Sequence, residues 1–274
     1  MSERPALPVS EVELMASFER AALSAGAAIL AHFRSGCPID LKSDQSPVTQ
    51  ADREAEASIC AVLETDFPHI PIIAEERCEH GAPPEVADCF FLVDPLDGTR
   101  EFIEKTAEFT VNIALIVEGY PAAGIVHAPA LDLTYLGGPS GAFKRSVTRM
   151  PDGTARASEP RRIHTLAPEN GVKALVSRKH FSAETEHFLR ETGIVDRVAI
   201  GSSLKFCLLA EGAGHVYPRF SRTMQWDTAA GDAVLRAAGG MTVRADDLTT
   251  LTYPSPSGRG GLVNPSFISS YGPA

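Results

Sequence analysis

Between residues 10 and 34 apolar positions recur at roughly helical intervals, and Val12, Met15, Ala16, Phe18, Ala22 and Leu23 predict the buried face of a first helix. Ser10 and Glu13 stand at capping-box spacing before it. A polar, turn-like stretch from Pro38 to Pro47 leads to a second predicted helix, about Thr49 to Thr65, with Ala51, Ala55, Ile59, Val62 and Leu63 inward. The apolar run Ile70 to Ala74 reads as a strand ending in Glu75 and Glu76. A polar loop over 77–88 and a strand over Phe90 to Val93 follow. Phe109 to Val117 and Ala123 to His127 predict successive strands joined around 118–121, with further strands at Tyr135–Leu136 and Phe143.

Residues 151–162 are rich in Pro, Gly, Ser and Arg and predict a junction between lobes. Beyond it the pattern gives a strand at Ala174 to Ser177 and helices near 183–192 and 204–211. A last helix begins beside Asp227 and stops at Gly239 and Gly240.

Composition narrows the class. The 274 residues are 44% hydrophobic, which suits a folded chain with a sizeable core. A net charge of -10 argues against nucleic acid as partner, because a phosphate backbone demands a basic face. No signal-peptide pattern and no run of about 18 uninterrupted apolar residues is present. The five cysteines have no C-x-x-C spacing and read as free thiols. The expected location is the cytoplasm, including its inner-membrane surface.

The chemistry concentrates in FFLVDPLDGTRE, residues 90–101. A strand exits into Asp94, Pro95 removes a backbone donor, and Asp97 follows at a spacing that lets both carboxylates face one side. Gly98 permits close backbone approach, and Thr99 sits where a helix would open and offer N–H groups to a phosphate. Glu75 and Glu76 end a strand that could lie alongside. Such oxygen donors suit Mg²⁺. Taken singly, these residues have plainer readings: solvated turn aspartates, Asp227 as a helix N-cap, Asp52 as a surface acid.

The set SPVTQAD (46–52), AEE (74–76), DPLDGT (94–99) and WDTAAG (226–231) resembles the inositol monophosphatase superfamily of magnesium-dependent phosphatases. The finer resemblance, in DPLDGTREFI, EFTVNIALI, LVSRKH and GSSLKFCLLAEG, is to its CysQ-type 3'(2'),5'-bisphosphate nucleotidase branch. The resemblance implies an α/β protein, an α+β layered sandwich. Residues 1–155 would form a lobe of two helices on a largely antiparallel sheet, and 156–274 a smaller α/β lobe.

It also implies that Glu75, Asp94, Asp97, Asp227 and the Leu96 carbonyl hold two or three Mg²⁺ ions. Asp52 would lie beside an additional metal or its water. Thr99, with Glu75, would orient and deprotonate the attacking water, and the Gly98 and Thr99 N–H groups would hold the scissile phosphate. His180, Ser202, Lys205 and Arg219 match positions that the branch uses around the nucleotide. GSS at 201–203 lacks the G-x-S-x-G pattern of a serine hydrolase.

The segment before WD, YPRFSRTMQWD, carries Arg219 and Arg222 and no acid before Asp227, where simple inositol monophosphatases favour one. A cationic pocket favours a substrate with added negative charge. The expected reaction is removal of the 3'-phosphate from adenosine 3',5'-bisphosphate, with the sulfated analogue as a further substrate. An inositol or fructose bisphosphate phosphatase is the enzymatic alternative, and a metal or nucleotide sensor the non-enzymatic one. The partner is a small phosphorylated nucleotide, with no transmembrane segment and with a homodimer admitted. Arg100 departs from the Lys usual in the branch.

Overall fold

In the computed structural model the described residues are 5–42, 45–79, 81, 83–150, 154–256 and 259–272. Helix α1 (Glu11–Ser35) is followed by the short pair β1 (Ile39–Leu41) and β2 (Pro47–Thr49), then α2 (Gln50–Asp66), β3 (Ile72–Ala74) and α3 (Glu75–Glu79). Next come β4 (Cys89–Asp97), α4 (Thr99–Ile103), β5 (Thr110–Val117), β6 (Tyr120–Ala128), β7 (Leu133–Gly138) and β8 (Gly141–Arg149), with β9 (Ala155–Ala157) and β10 (Arg161–Ile163) folded back on β8. The C-terminal part contributes β11 (Lys173–Ser177), α5 (Ala183–Glu191), β12 (Asp196–Ile200), α6 (Leu204–Ala210), β13 (Val216–Arg219), α7 (Gln225–Ala237), β14 (Met241–Arg244) and β15 (Phe267–Ser270).

The first sheet has eight strands in the order β10-β8-β7-β6-β5-β4-β3, with β9 also on β8, and is antiparallel except where β3 joins β4. The second has five, in the order β12-β11-β13-β15-β14. β9 and β10 still belong to the first sheet, and the sheets change over between Ile163 and Lys173.

Alternation along the central strands builds the layers. Phe91, Val93, Ile113 and Ile125 bury one face of the first sheet under α1 and α2. Phe90, Leu92, Ala114 and Val126 bury the other under α6 and α7, which in turn meet Leu175 and Phe267 of the second sheet. Leu189 of α5 covers the far side of that sheet with Ala174 and Val176. The result is a five-layer αβαβα sandwich. Helix α7 lies close on the first sheet because Gly124 and Gly137 are bare there: a Cβ would stand 2.7 Å from Ala230 O and 2.5 Å from Val234 Cα.

Several local expectations need correction. Helix α1 buries Leu14, Ala21, Ala25 and Ile29, while Val12 is 79% exposed and Ala16 is also outside. Ser10 occupies the N-cap position but makes no side-chain cap bond. Of the helices in the described residues, α1 alone has the length and mean hydropathy (1.3) to cross a membrane, yet half of that window is buried as a core helix would be. Residues 77–79, read as loop, continue α3. Pro95 interrupts pairing without ending it: β4 meets β5 at Asp94↔Asn112, breaks register, and pairs again at Asp97↔Thr110.

Candidate active site

Three element ends deliver the acids. The parallel β3–β4 pair brings Glu75, the first residue after β3, beside the end of β4. The register break in β4 falls between Asp94 and Asp97, each of which still pairs with β5, at Asn112 and Thr110. Asp227 sits in the first turn of α7, where its Oδ2 accepts from Met224 N at 2.9 Å. Asp94 is 1% exposed and its Oδ1 accepts from Leu96 N at 3.0 Å.

Burial and crowding raise the proton affinity of the three aspartates. Burial pushes Asp94 well above the usual range, and Glu75, Asp97 and Asp227 add to it; Asp94 and Glu75 also share a hydrogen bond. Asp227 is pushed up to about 8 by burial, then by Asp97 and Glu75. Asp97 reaches about 6, mainly through burial, with Lys205 and the Ser203 hydroxyl working the other way. Among the described residues no group of three or more His, Cys, Asp or Glu side chains is already set to hold a metal ion. Asp94 and Asp227 instead lean on backbone N–H groups. An all-oxygen donor set whose acids are buried together and repel one another nevertheless fits a hard divalent cation, which would relieve that repulsion.

Asp52 is not a surface acid. It is 1% exposed, and its Oδ2 accepts from Thr49 N at 2.8 Å and Thr49 Oγ1 at 2.7 Å, closing the N-terminus of α2. Its other oxygen accepts from Thr99 Oγ1 at 3.1 Å; the Leu96 carbonyl lies 3.2 Å from the same hydroxyl. Burial pushes Asp52 up to about 6, against the two Thr49 bonds. Gly98, at φ 93°, is the left-handed N-cap of α4, and a Cβ there would lie 3.1 Å from Glu108 O.

A cleft of about 260 Å³ opens above this cluster. Glu75, Asp97, Gly98, Thr99 and Asp227 line it from the acidic side, and His180, Ser202, Lys205 and Arg219 from the other. Asp52, Asp94 and Leu96 do not line it and lie buried. Lys205 is buried, donates to Ile200 O (3.1 Å) and Ser202 O (2.5 Å), and is pushed down to about 8, chiefly by burial. Arg219, also buried, donates to Ser221 O (3.1 Å) and Arg222 O (3.0 Å). His180 stands at the exposed rim and is held below its ordinary range by partial burial and then by Arg219 and Arg100. Ser202 has φ 46°, and its buried hydroxyl has no partner among the described residues.

Two further residues of this site are not marked by the sequence pattern. Buried Lys42 bridges Glu75 Oε1 (2.7 Å) and Glu76 Oε1 (2.6 Å); burial opposes its charge, but both glutamates outweigh it and hold its pKa above the ordinary value. Its segment shows only turn-like polarity in sequence. Ser203 Oγ lies 3.0 Å from Asp97 Oδ2 and 2.5 Å from Asp227 O, and accepts from Asn112 at 3.0 Å, so it ties the end of β4 to the start of α7. Its signal is the GSS segment, which fails the serine-hydrolase pattern and gives no hint of this bracing role.

The sequence profile of the Inositol monophosphatase family matches residues 11–266. The chain belongs to the inositol monophosphatase family. It is 41% identical over 220 residues to the 3'(2'),5'-bisphosphate nucleotidase CysQ of Escherichia coli O157:H7, covering 80% of this chain and 85% of that one. The CysQ of Buchnera aphidicola is 37% identical over 251 residues, 91% of this chain and 90% of its own. Among solved structures, CysQ from Bacteroides thetaiotaomicron superposes with a TM-score of 0.79 at 34% identity, covering 98% of this chain and 100% of that one. An inositol monophosphatase from Anabaena, at 21% identity, has a TM-score of 0.71 over 96% of this chain and 92% of its own, which speaks for the fold alone.

Proposed function

We propose that this family member is a Mg²⁺-dependent phosphomonoesterase that removes the 3'-phosphate of adenosine 3',5'-bisphosphate, giving AMP and phosphate. The observation that carries the reading is the convergence of Glu75, Asp97 and Asp227 in one cleft with the Thr99–Asp52 hydrogen bond at its floor and Lys205 and Arg219 in its opposite wall. The likeness to CysQ nucleotidases supports the substrate class.

In this reading Glu75, Asp94, Asp97, Asp227 and the Leu96 carbonyl hold the ions. When bound, these supply an acidified water and neutralise charge on the phosphoryl oxygens. Thr99 accepts a proton from the attacking water while passing its own to Asp52, whose raised pKa of about 6 makes it a competent acceptor near neutral pH. The Gly98 and Thr99 N–H groups, at the opening of α4, hold the phosphoryl oxygens. As the water oxygen bonds to phosphorus, the ester bond to the 3'-oxygen breaks; that oxygen takes up a proton from solvent, and Asp52 releases its own to solvent before the next turnover. The Ser202 hydroxyl, unpartnered among the described residues, and the cationic wall receive the rest of the nucleotide. In this reading the site lies between the parts of the chain that carry the two sheets, since Asp227 follows β13 of the second sheet and the other ligands belong to the part that carries the first.

Chromatography of the products tests the assignment. AMP and inorganic phosphate in equal amounts are expected; adenosine 3'-phosphate as product, or intact substrate, overturns it.

A further inference from the structure

Glu108 lies outside the cleft lining, between the two turns that form the cleft's opposite sides. Its Oε2 accepts from Gly201 N at 2.6 Å. Arg178 clamps the same carboxylate in bidentate fashion, Nε to Oε2 at 3.0 Å and Nη2 to Oε1 at 2.7 Å, and also donates to Ala199 O at 2.8 Å. The Glu108 carbonyl is wedged between two glycines: a Cβ would come within 3.1 Å of it at Gly98 and 2.8 Å at Gly201. Both turns therefore press on one peptide unit.

The residue after Gly201 needs such support. Ser202 holds φ 46°, a left-handed conformation that a non-glycine residue keeps only when its surroundings impose it. Its carbonyl receives Lys205 Nζ at 2.5 Å, and the adjacent Ser203 Oγ reaches Asp97 Oδ2 at 3.0 Å. An exposed Glu–Arg pair by itself contributes little. The captured Gly201 N–H and the glycine-bounded wedge set this one apart.

We infer that Glu108, locked by Arg178, is a positioning residue that sets the Gly201–Ser203 turn against the Asp97–Thr99 turn and so fixes the surface that receives the non-reacting part of the substrate. Its substrate consequence rests on the nucleotidase reading; its structural core does not. Glu108→Gln keeps the side chain's size but loses the charge that holds Arg178 and the Gly201 N–H together. Arg178→Ala loosens the same clamp from the other side.

Hydrogen–deuterium exchange of the full chain, read on peptides covering 199–206, tests the positioning directly. Faster exchange confined to that segment, with an unchanged melting temperature, is expected for Glu108→Gln and, more weakly, for Arg178→Ala. With adenosine 3',5'-bisphosphate, KM should rise about tenfold while kcat changes less than about twofold, and KM for p-nitrophenyl phosphate should stay put. Unchanged exchange at 199–206 overturns the inference, as does an increase spread over both sheets or an equal rise in both KM values. If Glu108→Gln does not fold, Arg178→Ala decides by the same readouts. If the wild type leaves the bisphosphate intact, the substrate reading falls, and the exchange result still decides the role of Glu108.

Discussion

The Thr99 hydroxyl donates to Asp52 Oδ1 across 3.1 Å, joining the opening of α4 to the first turn of α2. Asp52's second oxygen is fully engaged by Thr49, so the carboxylate cannot turn away from Thr99 without uncapping α2. Asp52→Asn keeps the shape but removes the proton acceptor. A kcat loss of about 10²-fold with KM nearly unchanged is expected from steady-state kinetics. A variant of full kcat contradicts the proton path.

Asp94 is 1% exposed, and burial, then Glu75, raises its pKa well above the ordinary range. Mg²⁺ at about 100 times its dissociation constant should stabilise the wild type by about 2.7 kcal/mol, seen as a melting temperature several degrees higher. In Asp94→Asn that increment should vanish together with turnover. An active variant, or one still stabilised by Mg²⁺, removes Asp94 from the ligand set.

Lys205 spends two donors on Ile200 O and Ser202 O, which leaves its ammonium fixed at the cleft wall. Lys205→Ala should raise KM for the bisphosphate more than for a nucleoside monophosphate. Equal effects on both would reduce Lys205 to a support for the loop.

His127 of β6, opposite Val111 of the neighbouring strand β5, offers a pH signature outside the carboxylate cluster. It is 3% exposed, with Nδ1 at 3.0 Å from both Leu133 O and Thr134 Oγ1, and burial pushes it down from 6.5 to about 4. Between those values the unfolded chain takes up a proton that the native one does not. Stability from this group is therefore full above about pH 6.5 and falls as pH drops toward 4. Between pH 7 and 5 the loss should be about 2 kcal/mol. The raised acids pull the other way, so the comparison is with His127→Gln in urea titrations at both pH values. The wild type should lose more stability on acidification; equal losses contradict the assignment.

The motifs that supply the acidic cluster were legible because each stands at the end of a strongly patterned element: AEE after β3, DPLDGT through the break in β4, WD at the start of α7. The inward face of α2 was legible for the same reason, since Ala51, Ala55, Ile59 and Leu63 alternate with polar residues and are buried. Helix α1 misled because it is apolar on most sides, so periodicity could not separate Leu14 and Ile29 from Val12. Strands β12, β14 and β15 went unseen; β12 is mostly exposed, and its parallel pairing with β11 depends on a partner distant in sequence. Asp52 taken singly read as a surface acid, and Lys42 drew no reading, because their partners, Thr99 and Glu75, lie 47 and 33 positions away.

Phosphate release from adenosine 3',5'-bisphosphate, inositol 1-phosphate and fructose 1,6-bisphosphate, each with Mg²⁺ and with or without EDTA, tests the central claim most directly. A strong preference for the nucleotide, abolished by the chelator, is the predicted result. Preference for either sugar phosphate would contradict the role given to the cationic wall, and release that persists in EDTA would contradict the carboxylate site itself.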